Sequence, residues 1–392
     1  MSALFSARAK TQGENVTIGI VLDDTLDTTN GIQQYVVCVG EWIRQRGHEV
    51  HYIVGESCRS DIPNMHVASK NVGVRFNGNR LSMPLPVNRR KLRDLLAALQ
   101  LDVLHVQTPY SPFLAGRLVR AAPPELAVVG TFHILPYGWL ARFGSDVLAK
   151  MSAKTARRFD AMMATSVPAQ VFAREHYGFA STVVANPFRY DVFSVSRRGK
   201  RAQHTKKHIV FLGRLVARKG ALELLRAVAY LREQSLSQTA FHVTIAGKGP
   251  GLSELKRFVA AQGLDTVVSF PGFVAETQKP ALLNSGDIVV FPSVSGESFG
   301  ISLLEGMAAS RGVVLAGDNP GYASVVARRQ QLINPRDTVV FAQTLARWLD
   351  DDSGRATMAT IQRTHAAQFD IDVIGPKIEE IYAHALQKRR QS

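Results

Sequence analysis

The sequence predicts an α/β protein built from two successive doubly wound domains, each with a parallel sheet between layers of helices. Three observations predict this class. Short apolar runs rich in β-branched residues alternate with stretches of helical periodicity along the chain. A polar, basic segment without periodicity, residues 196–207, interrupts that alternation and is predicted to be a linker. The alternation then begins again, and 392 residues is the length of two ordinary domains.

The first domain is predicted to occupy residues 1–195. Its first 15 residues are polar, so a disordered leading segment and no signal peptide are expected. We predict that the first helix ends at Gly47, because glycine is common just past a helix C-terminus. Strands are predicted at 16–22, 48–54, 102–107, 127–133, 161–165 and 182–185, and helices at 32–46, 87–100, 141–158 and 168–176.

The second domain is predicted at residues 208–370 and is followed by one more helix, 371–386. Its strands and helices alternate as in the first domain. Strands are predicted at 209–213, 241–247, 267–270, 287–292 and 312–316, and helices at 221–232, 278–284 and 337–347. In open sheets of this kind, ligands bind beyond the carboxyl ends of the strands, so two such sheets facing each other would form one cleft.

One strand, turn and helix in the second domain carries two carboxylates. Glu297 lies in the turn after the strand 287–292, and Glu305 lies eight positions later on the helix. A helix N-terminus near Phe299–Gly300 offers free backbone N–H groups and a positive dipole end to an anion. The alternative interpretation is an ordinary crossover with a solvated Glu297 and a surface Glu305.

Cations are predicted at the same edge of the second sheet. Arg214 and Lys219 follow its first strand, and a glycine turn, 247–251, follows its second. Cations beside a helix N-terminus fit a diphosphate, although a solvated basic loop is the competing explanation. The glutamates are expected to face hydroxyls, since a carboxylate repels phosphate. The implied ligand is a nucleotide-diphosphate sugar. No metal-ligand motif is seen, and cations could stabilise a diphosphate leaving group without a metal.

The net charge indicates an anionic partner. Lysine and arginine number 47 against 32 acidic residues, a formal charge of +15. Nucleic acid, anionic lipid and a nucleotide-linked substrate are all compatible with that charge, as is a merely solubilising surface. No nucleic-acid-binding motif is recognised. Two cysteines form no disulfide framework, which favours a reducing cytoplasm, and no apolar run reaches the length of a membrane span.

The predicted helix 87–100 has a strongly basic start. Its basic residues are Arg89, Arg90, Lys91 and Arg93, and its apolar face is formed by leucines. Such a helix can lie on an anionic membrane surface, or it can be a core-facing helix with a solvated basic side. Cations at a helix N-terminus also oppose the helix dipole.

These residues resemble a known family. Gly213-Arg214 with Arg218-Lys219-Gly220, then Gly296–Ile301 with Glu305, is similar to the motif of retaining glycosyltransferases of the GT-B fold, family 4. The resemblance extends over nearly the whole chain, including Asn30-Gly31 and Thr131–His133. In pattern the chain is most similar to the bacterial phosphatidylinositol mannosyltransferase type. The resemblance implies two Rossmann-like domains facing across a cleft, with the last helix, 371–392, returning to the first domain.

The resemblance also implies roles for individual residues. Arg214 and Lys219 would hold the donor diphosphate and neutralise it as it leaves. Glu297 would contact the transferred sugar and Glu305 the ribose, while His133 would lie beside the reacting centre. The implied catalytic residues are His133, Arg214, Lys219 and Glu297. The implied donor-binding residues are Gly31, Gly213, Gly247, Glu297, Ser298, Phe299, Gly300, Ile301 and Glu305. The implied acceptor or membrane residues are Gln33, Arg89, Arg90, Lys91 and Arg93.

The expected reaction is transfer of a hexose with retention, from GDP-mannose or from a UDP-sugar, to a lipid or lipid-linked acceptor. No tightly bound cofactor is expected, and Mg²⁺ is compatible but not required. The expected location is the cytoplasm, with peripheral attachment to the inner face of the membrane. The alternatives are a soluble acceptor, a nucleotide-sugar epimerase and a non-catalytic sugar-binding protein. The sequence makes no prediction of oligomeric state.

The sequence departs from the family pattern at three places. Asn30 stands where the first glycine of a pair is usual, and Ala185-Asn186-Pro187 replaces Pro-Asn-Gly. Residues 134–138 lack the lysine expected after His133 in the inositol-lipid enzymes. The donor side therefore matches the family, while phosphatidylinositol as acceptor, and to a lesser degree mannose, is less well supported.

Overall fold

The computed structural model describes residues 15–28, 30–76, 79–135, 139–195 and 206–391. The chain forms two compact units, one up to Pro187 with the segment from Ile371, the other Phe188–Asp370. Each unit contains a parallel sheet flanked by helices, which confirms the predicted α/β class with two Rossmann-like units. The segment Tyr190–Val195 groups with the second unit, and most of the predicted linker lies outside the described residues.

The strands of the described residues form two larger sheets and one hairpin. The first sheet has the order β3-β2-β1-β6-β7-β8-β9, and the second has the order β12-β11-β10-β13-β14-β15. Strands β4 and β5 pair with each other in antiparallel fashion. The strands are β1 Thr17–Leu22, β2 Glu49–Val54, β3 Met65–Val67, β4 Asn71–Phe76, β5 Asn79–Pro84, β6 Val103–Val106, β7 Ala127–Phe132, β8 Ala161–Ala164, β9 Thr182–Val183, β10 Lys207–Leu212, β11 Phe241–Ala246, β12 Val268–Gly272, β13 Ile288–Phe291, β14 Val313–Gly317 and β15 Leu332–Ile333.

The helices follow the strands in the alternation that a doubly wound sheet requires. In the described ranges they are α1 Gly31–Gln45, α2 Arg89–Leu99, α3 Leu114–Ala121, α4 Trp139–Ala156, α5 Val167–Tyr177, α6 Tyr190–Val195, α7 Ala221–Glu233, α8 Leu252–Ala261, α9 Lys279–Ser285, α10 Ile301–Ala309, α11 Pro320–Ala323, α12 Thr338–Asp350, α13 Asp352–Ala366 and α14 Ile371–Arg390. Helix α14 belongs to the first unit, although it follows the second unit in the chain.

Polar contacts hold α14 against the first sheet. The hydroxyl of Tyr382 lies 2.7 Å from Nδ1 of His105 on β6, and Nε2 of His105 lies 2.7 Å from Oγ1 of Thr131 on β7. Asp160, before β8, accepts a hydrogen bond from the Arg389 guanidinium at 2.7 Å. Both ring nitrogens of His105 and the hydroxyls of Tyr382 and Thr131 are thus hydrogen-bonded, which offsets the cost of burying them.

Several elements were not predicted. Helix α13 is mostly polar on its outer side, so its apolar positions, among them Met358 and Ala359, are too few to show helical periodicity clearly. Helix α8 is short and begins directly after the glycine turn that ends at Gly251. The hairpin β4–β5 lies within residues 59–93, where eight lysines and arginines stand against one acid, Asp61, and these charges obscure the apolar alternation of its strands.

Candidate active site

Three loops meet at the carboxyl edge of the second sheet. Strand β10 pairs in parallel with β11 on one side and with β13 on the other, so the loops that follow these strands lie at one edge. This edge therefore carries Gly213 and Arg214 after β10, Gly247 after β11, and Glu297 after β13. The structure thus brings the predicted donor-side residues of this unit to one edge.

Glycines allow these loops to approach each other closely. Gly220 has φ +75°, and a Cβ atom there would lie 1.9 Å from the carbonyl oxygen of Pro292. Gly247 has φ +140°, and a Cβ atom there would lie 1.8 Å from the carbonyl oxygen of Gly213. A side chain is excluded at both positions by its backbone conformation and by its neighbour. The loop after β10 is consequently held directly against the loop after β13.

The centre of this edge is an ion cluster around Glu297. Oε1 of Glu297 accepts hydrogen bonds from Nζ of Lys219 at 2.7 Å and from Nη1 of Arg218 at 2.8 Å. The three side chains are 13–21% exposed. Burial alone would raise the pKa of Glu297, but Lys219 and Arg218 hold that pKa below its usual range. Glu297 is therefore a carboxylate, fixed in place by two cations.

Two further observations concern the cations. Burial lowers the pKa of Arg214, and the charge of Arg218 lowers it further. Burial also lowers the pKa of Lys219, while the Glu297 carboxylate raises it. Three positive charges, those of Arg214, Arg218 and Lys219, thus lie at one edge beside the single carboxylate of Glu297. Such a concentration of positive charge suits a ligand that carries more than one negative charge.

Arg218 is a site residue that the sequence reasoning assigned no role. Residues Ala217–Lys219 form a 3-10 turn, which directs Arg218 and Lys219 to the same carboxylate. The backbone N–H of Val294 donates to the carbonyl oxygen of Arg218 at 2.9 Å, which holds this turn against the Glu297 loop. The position of Arg218 next to Lys219 in the motif was the signal that could have identified Arg218 as a site residue.

The turn after Glu297 leads into the N-terminus of α10. Gly300 has φ +151° and precedes Ile301, the first residue of that helix. Phe299 is buried, and its ring lies 5.9 Å from that of Phe369. Ser298 and Gly300 flank it and are partly exposed. Helix α10 therefore begins at the edge that carries the cations, and the free N–H groups of a helix N-terminus suit an anion.

Glu305 lies within α10 and is not a surface residue, because only 3% of it is exposed. Nζ of Lys279 lies 3.8 Å from Oε2 of Glu305 and 2.8 Å from Oε2 of Glu276. This buried carboxylate has a cation nearby at a distance longer than a close ion pair. The predicted contact of Glu305 with a ribose stays a prediction.

In the first unit, His133 follows β7 at the carboxyl edge of the sheet. Its Nε2 lies 2.8 Å from Oε1 of Gln107, which follows β6, and its ring packs edge-on against Tyr35. Burial lowers the pKa of His133 to about 3. The ring is therefore neutral near pH 7. Donation from Nε2–H to Gln107 leaves Nδ1 as a hydrogen-bond acceptor. Gln107 was not predicted; its place at the end of a strand was the available signal.

Gly31 and Gln33 lie at the start of α1. Gly31 is the first residue of that helix. Gln33 is buried, and its side-chain amide donates to Oδ2 of Asp24 and to the carbonyl oxygen of Thr25, each at 3.1 Å. Both N–H donors of this amide bond to the loop after β1, so Gln33 ties the start of α1, where Gly31 lies, to that loop.

Helix α2 has its leucines in the core and its basic side chains outside. Leu92 and Leu96 are buried in the same cluster as Leu118 of α3. The four basic side chains Arg89, Arg90, Lys91 and Arg93 are exposed. The apolar face of this helix is thus used within the first unit, and its outer surface is strongly basic. Any contact with a membrane would be electrostatic.

Asp23, just after β1, caps helix α3 from another part of the chain. Oδ1 of Asp23 accepts from the backbone N–H of Ala115 at 2.5 Å, and its other oxygen is bonded by the Ser111 hydroxyl. Phe113, at the N-cap position, makes no side-chain cap bond. Burial raises the pKa of Asp23 from 3.8 to about 7, against the effect of these two hydrogen bonds. Asp24 also raises it.

This geometry predicts a pH-dependent stability. Because its folded pKa is raised, Asp23 binds a proton on folding between about pH 4 and pH 7. The contribution of protonated Asp23 to the free energy of unfolding is therefore complete below that window. It is lost as the pH rises through the window, by at most about 1.4 kcal/mol per pH unit. The amide introduced by Asp23→Asn offers both a donor and an acceptor, but it does not titrate.

We expect Asp23→Asn to gain stability relative to the unmodified protein as the pH rises from about 5 to about 8. The measurement is denaturant unfolding of both proteins across that range. Parallel stability curves for the two proteins would contradict the assignment. Asp94→Asn, on the exposed side of α2, is the matched control and should leave the pH dependence unchanged.

Two further observations apply to the described residues. Among helices in the described ranges, none combines the length and the apolar character needed to cross a membrane. In the same ranges, no three His, Cys, Asp or Glu side chains are grouped so that they could hold a metal ion.

Family models match most of the chain. The model for family 4 glycosyltransferases matches residues 29–192, and the model for group 1 glycosyl transferases matches residues 193–365. A phosphatidyl-myo-inositol mannosyltransferase of Mycolicibacterium smegmatis is 28% identical over 371 residues, 93% of each chain. One from Propionibacterium freudenreichii is 27% identical over 385 residues, 94% of this chain and 95% of that protein.

Solved structures share the fold at low identity. The Anabaena protein Alr3699/HepE, crystallised with UDP, has a TM-score of 0.75 at 19% identity, covering 94% of this chain and 99% of that one. A sucrose-phosphate synthase from Thermosynechococcus elongatus has a TM-score of 0.71 at 17% identity, covering 95% and 100%. Two Rossmann-like units and two adjacent family models define a glycosyltransferase of the GT-B fold. The chain belongs to family 4 of these enzymes.

Proposed function

We propose that this glycosyltransferase moves a hexose, with retention of configuration, from a nucleotide-diphosphate sugar to a lipid or lipid-linked acceptor at the inner face of the membrane. The observation that carries the donor proposal is the Glu297 carboxylate, held by Lys219 and Arg218 beside the N-terminus of α10. A carboxylate fixed by cations can accept hydrogen bonds from sugar hydroxyls, while the cations and the helix N-terminus attract a diphosphate.

In the proposed reaction, the bond between the anomeric carbon and the diphosphate oxygen breaks as the acceptor oxygen bonds to that carbon from the same face. The acceptor proton passes to an oxygen of the departing diphosphate. Arg214, Arg218 and Lys219 balance the charge that develops on this leaving group. Glu297 contacts the sugar and Glu305 the ribose. His133, a neutral imidazole, accepts a hydrogen bond from a sugar hydroxyl through Nδ1.

Relatives support a nucleotide-sugar donor and suggest its identity. The mannosyltransferase relatives align with nearly the whole chain, which favours GDP-mannose. The Anabaena neighbour was also crystallised with UDP-glucose, so a UDP-sugar is the second candidate donor. The donor-side motif of the second domain matches the family throughout.

A panel of nucleotide sugars tests the donor. We expect GDP-mannose to raise the unfolding temperature and to be slowly hydrolysed, with smaller effects from UDP-glucose and the other donors. Lys219→Ala is the matched control and should weaken the thermal response and nearly abolish hydrolysis. A protein that neither binds nor hydrolyses any nucleotide sugar would exclude this function, and a preference for a UDP-sugar would overturn the choice of mannose.

The acceptor proposal rests on the exposed basic side of α2. Near an anionic bilayer each lysine or arginine contributes about 1 kcal/mol, so the helix can bind without inserting its leucines. The buried position of Leu92 and Leu96 is the observation that favours the alternative, a soluble acceptor, because this helix then has no free apolar face.

We expect the combined variant Arg89→Gln, Arg90→Gln, Lys91→Gln to bind phosphatidylglycerol-containing vesicles on the order of 100-fold more weakly than the unmodified protein. Sedimentation with anionic and with neutral vesicles measures this. The matched control neutralises Arg226, Lys256 and Arg257, three exposed cations of the second unit, at the same change in charge. Equal binding of both triple variants, or no preference for anionic vesicles, would argue for a soluble acceptor.

A further inference from the structure

We infer that Ser293 and Tyr322 form a hydrogen-bond relay that positions the Glu297 carboxylate for its contact with the transferred sugar. The relay rests on the proposed function of Glu297, and it adds two positioning residues to that site. Neither belongs to the motif that the family resemblance identifies, and neither carries a charge.

The relay runs through two buried hydroxyls. Oγ of Ser293 lies 3.3 Å from the hydroxyl of Tyr322, and each residue is 1% exposed. The Ser293 hydroxyl also hydrogen-bonds Glu297. A carboxylate only accepts hydrogen bonds, so Ser293 donates to Glu297 and its oxygen accepts from Tyr322. The direction of the relay, from Tyr322 to Ser293 to Glu297, follows from this.

Asn319 fixes both hydroxyl-bearing residues. Its side-chain amide donates to the carbonyl oxygen of Ser293 at 3.1 Å, and its Oδ1 accepts from the backbone N–H of Tyr322 at 3.1 Å. Asn319 is 7% exposed. One buried amide therefore sets the distance between the end of β13 and the start of α11, the two segments that the relay joins.

The backbone around the relay leaves no room for it to move. A Cβ atom on Gly300 would lie 2.8 Å from the ring of Tyr322, and one on Gly321 would lie 2.0 Å from the carbonyl oxygen of Glu297. The turn that carries Glu297 is thus packed directly onto the segment that carries Tyr322. Packing this close keeps the hydroxyl in register with Ser293.

The third donor has a specific consequence for the carboxylate. Arg218 and Lys219 both donate to the same oxygen, Oε1, and thereby fix the position of that oxygen. The Ser293 hydroxyl, just after β13, adds a third and uncharged donor. Three donors from two segments of the chain hold the carboxylate in one orientation, and recognition of a sugar hydroxyl depends on that orientation.

Ser293→Ala and Tyr322→Phe test the relay. Tyr322→Phe keeps the ring beneath Gly300 and removes one oxygen. Hydrogen bonds to charged groups contribute about 1.5–3 kcal/mol, so we expect Ser293→Ala to lower kcat roughly 10- to 100-fold, with a smaller fall for Tyr322→Phe. The KM for the donor should change less than about threefold, because the cations that bind the diphosphate remain. Ser293→Thr, which retains the hydroxyl, should restore most of the activity.

The pH profile separates positioning from a general structural effect. Arg214, Arg218, Lys219 and Tyr322 are the titratable groups that act on Glu297. Loss of the Ser293 donor removes an interaction that lowers the pKa of Glu297, so the acid limb of kcat/KM should move to higher pH. Tyr230→Phe, on α7 in the second unit's core, is the matched control and should leave kcat and the limb unchanged.

The outcomes distinguish the relay from the function it rests on. Normal turnover by Glu297→Gln would overturn the proposed role of Glu297 itself. Loss of activity in Glu297→Gln, with unchanged kcat and acid limb in Ser293→Ala and Tyr322→Phe, would overturn the relay alone. If Ser293→Ala unfolds, Tyr322→Phe decides the question, since it leaves the packing of the ring in place.

Discussion

Lys219→Ala is expected to lower kcat by about 100- to 1,000-fold, the loss seen when one preorganised donor to a developing negative charge is removed. The effect should be large because Lys219 is partly buried, lies 2.7 Å from the Glu297 carboxylate and belongs to the cluster that would receive the diphosphate. Steady-state transfer at saturating donor measures it. The fold should survive, because Arg218 still donates to Oε1 of Glu297.

Lys256→Ala is the control for this substitution. Lys256 is an exposed lysine on α8, in the same unit, and its loss should leave kcat unchanged. Glu297→Ala is a less clean test, since it leaves Lys219 and Arg218 half-buried without their carboxylate and should therefore lower stability as well. Transfer by Lys219→Ala within about threefold of the unmodified rate would mean that the charge cluster does not serve the leaving group.

Asp160→Ala is expected to lower the free energy of unfolding of the first unit by about 3–5 kcal/mol. The Asp160 side chain is 1% exposed, and it accepts from the Val128 backbone N–H at 2.8 Å and from Arg389 at 2.7 Å. A second ion pair, at 3.3 Å, joins it to Arg158. Removing the carboxylate leaves two arginines and a buried N–H without this partner.

Denaturant unfolding, followed by a probe in the first unit, measures the loss. Asp94→Ala removes an exposed carboxylate from the same unit and should change stability by less than about 0.5 kcal/mol. A double-mutant cycle with Arg389→Ala should give a coupling energy well above that of a surface pair. Independent, additive losses would show that Asp160 and Arg389 do not act together.

Sequence patterns were sufficient for the main features of the fold. The buried strands β1, β10 and β13 contain continuous apolar runs, and in a doubly wound sheet such runs are buried on both faces. The linear motif was enough to predict that Arg214, Lys219 and Glu297 lie at one edge of the sheet, because loops after parallel neighbouring strands meet there. These inferences depend only on local pattern and on a general rule of topology.

Other features depend on tertiary contacts that no local pattern encodes. Gln107 and His133 are 26 positions apart and meet only because β6 and β7 are neighbours. Ser293 and Tyr322 likewise meet only where β13 and α11 come together. For α2, the sequence left open whether the leucine face lies on a membrane or in a core. The answer required the position of α3, against which Leu92 is buried.

The place of α14 has a consequence for biosynthesis. The first unit contains the earliest strands and also this late helix, whereas the second unit is a continuous stretch of chain, Phe188–Asp370. On the ribosome, His105 and Asp160 therefore emerge long before Tyr382 and Arg389, which complete their contacts. The second unit has all its own residues available earlier. The first unit can reach its full stability only after α14 has left the exit tunnel, reversing the usual N-to-C order of domain folding.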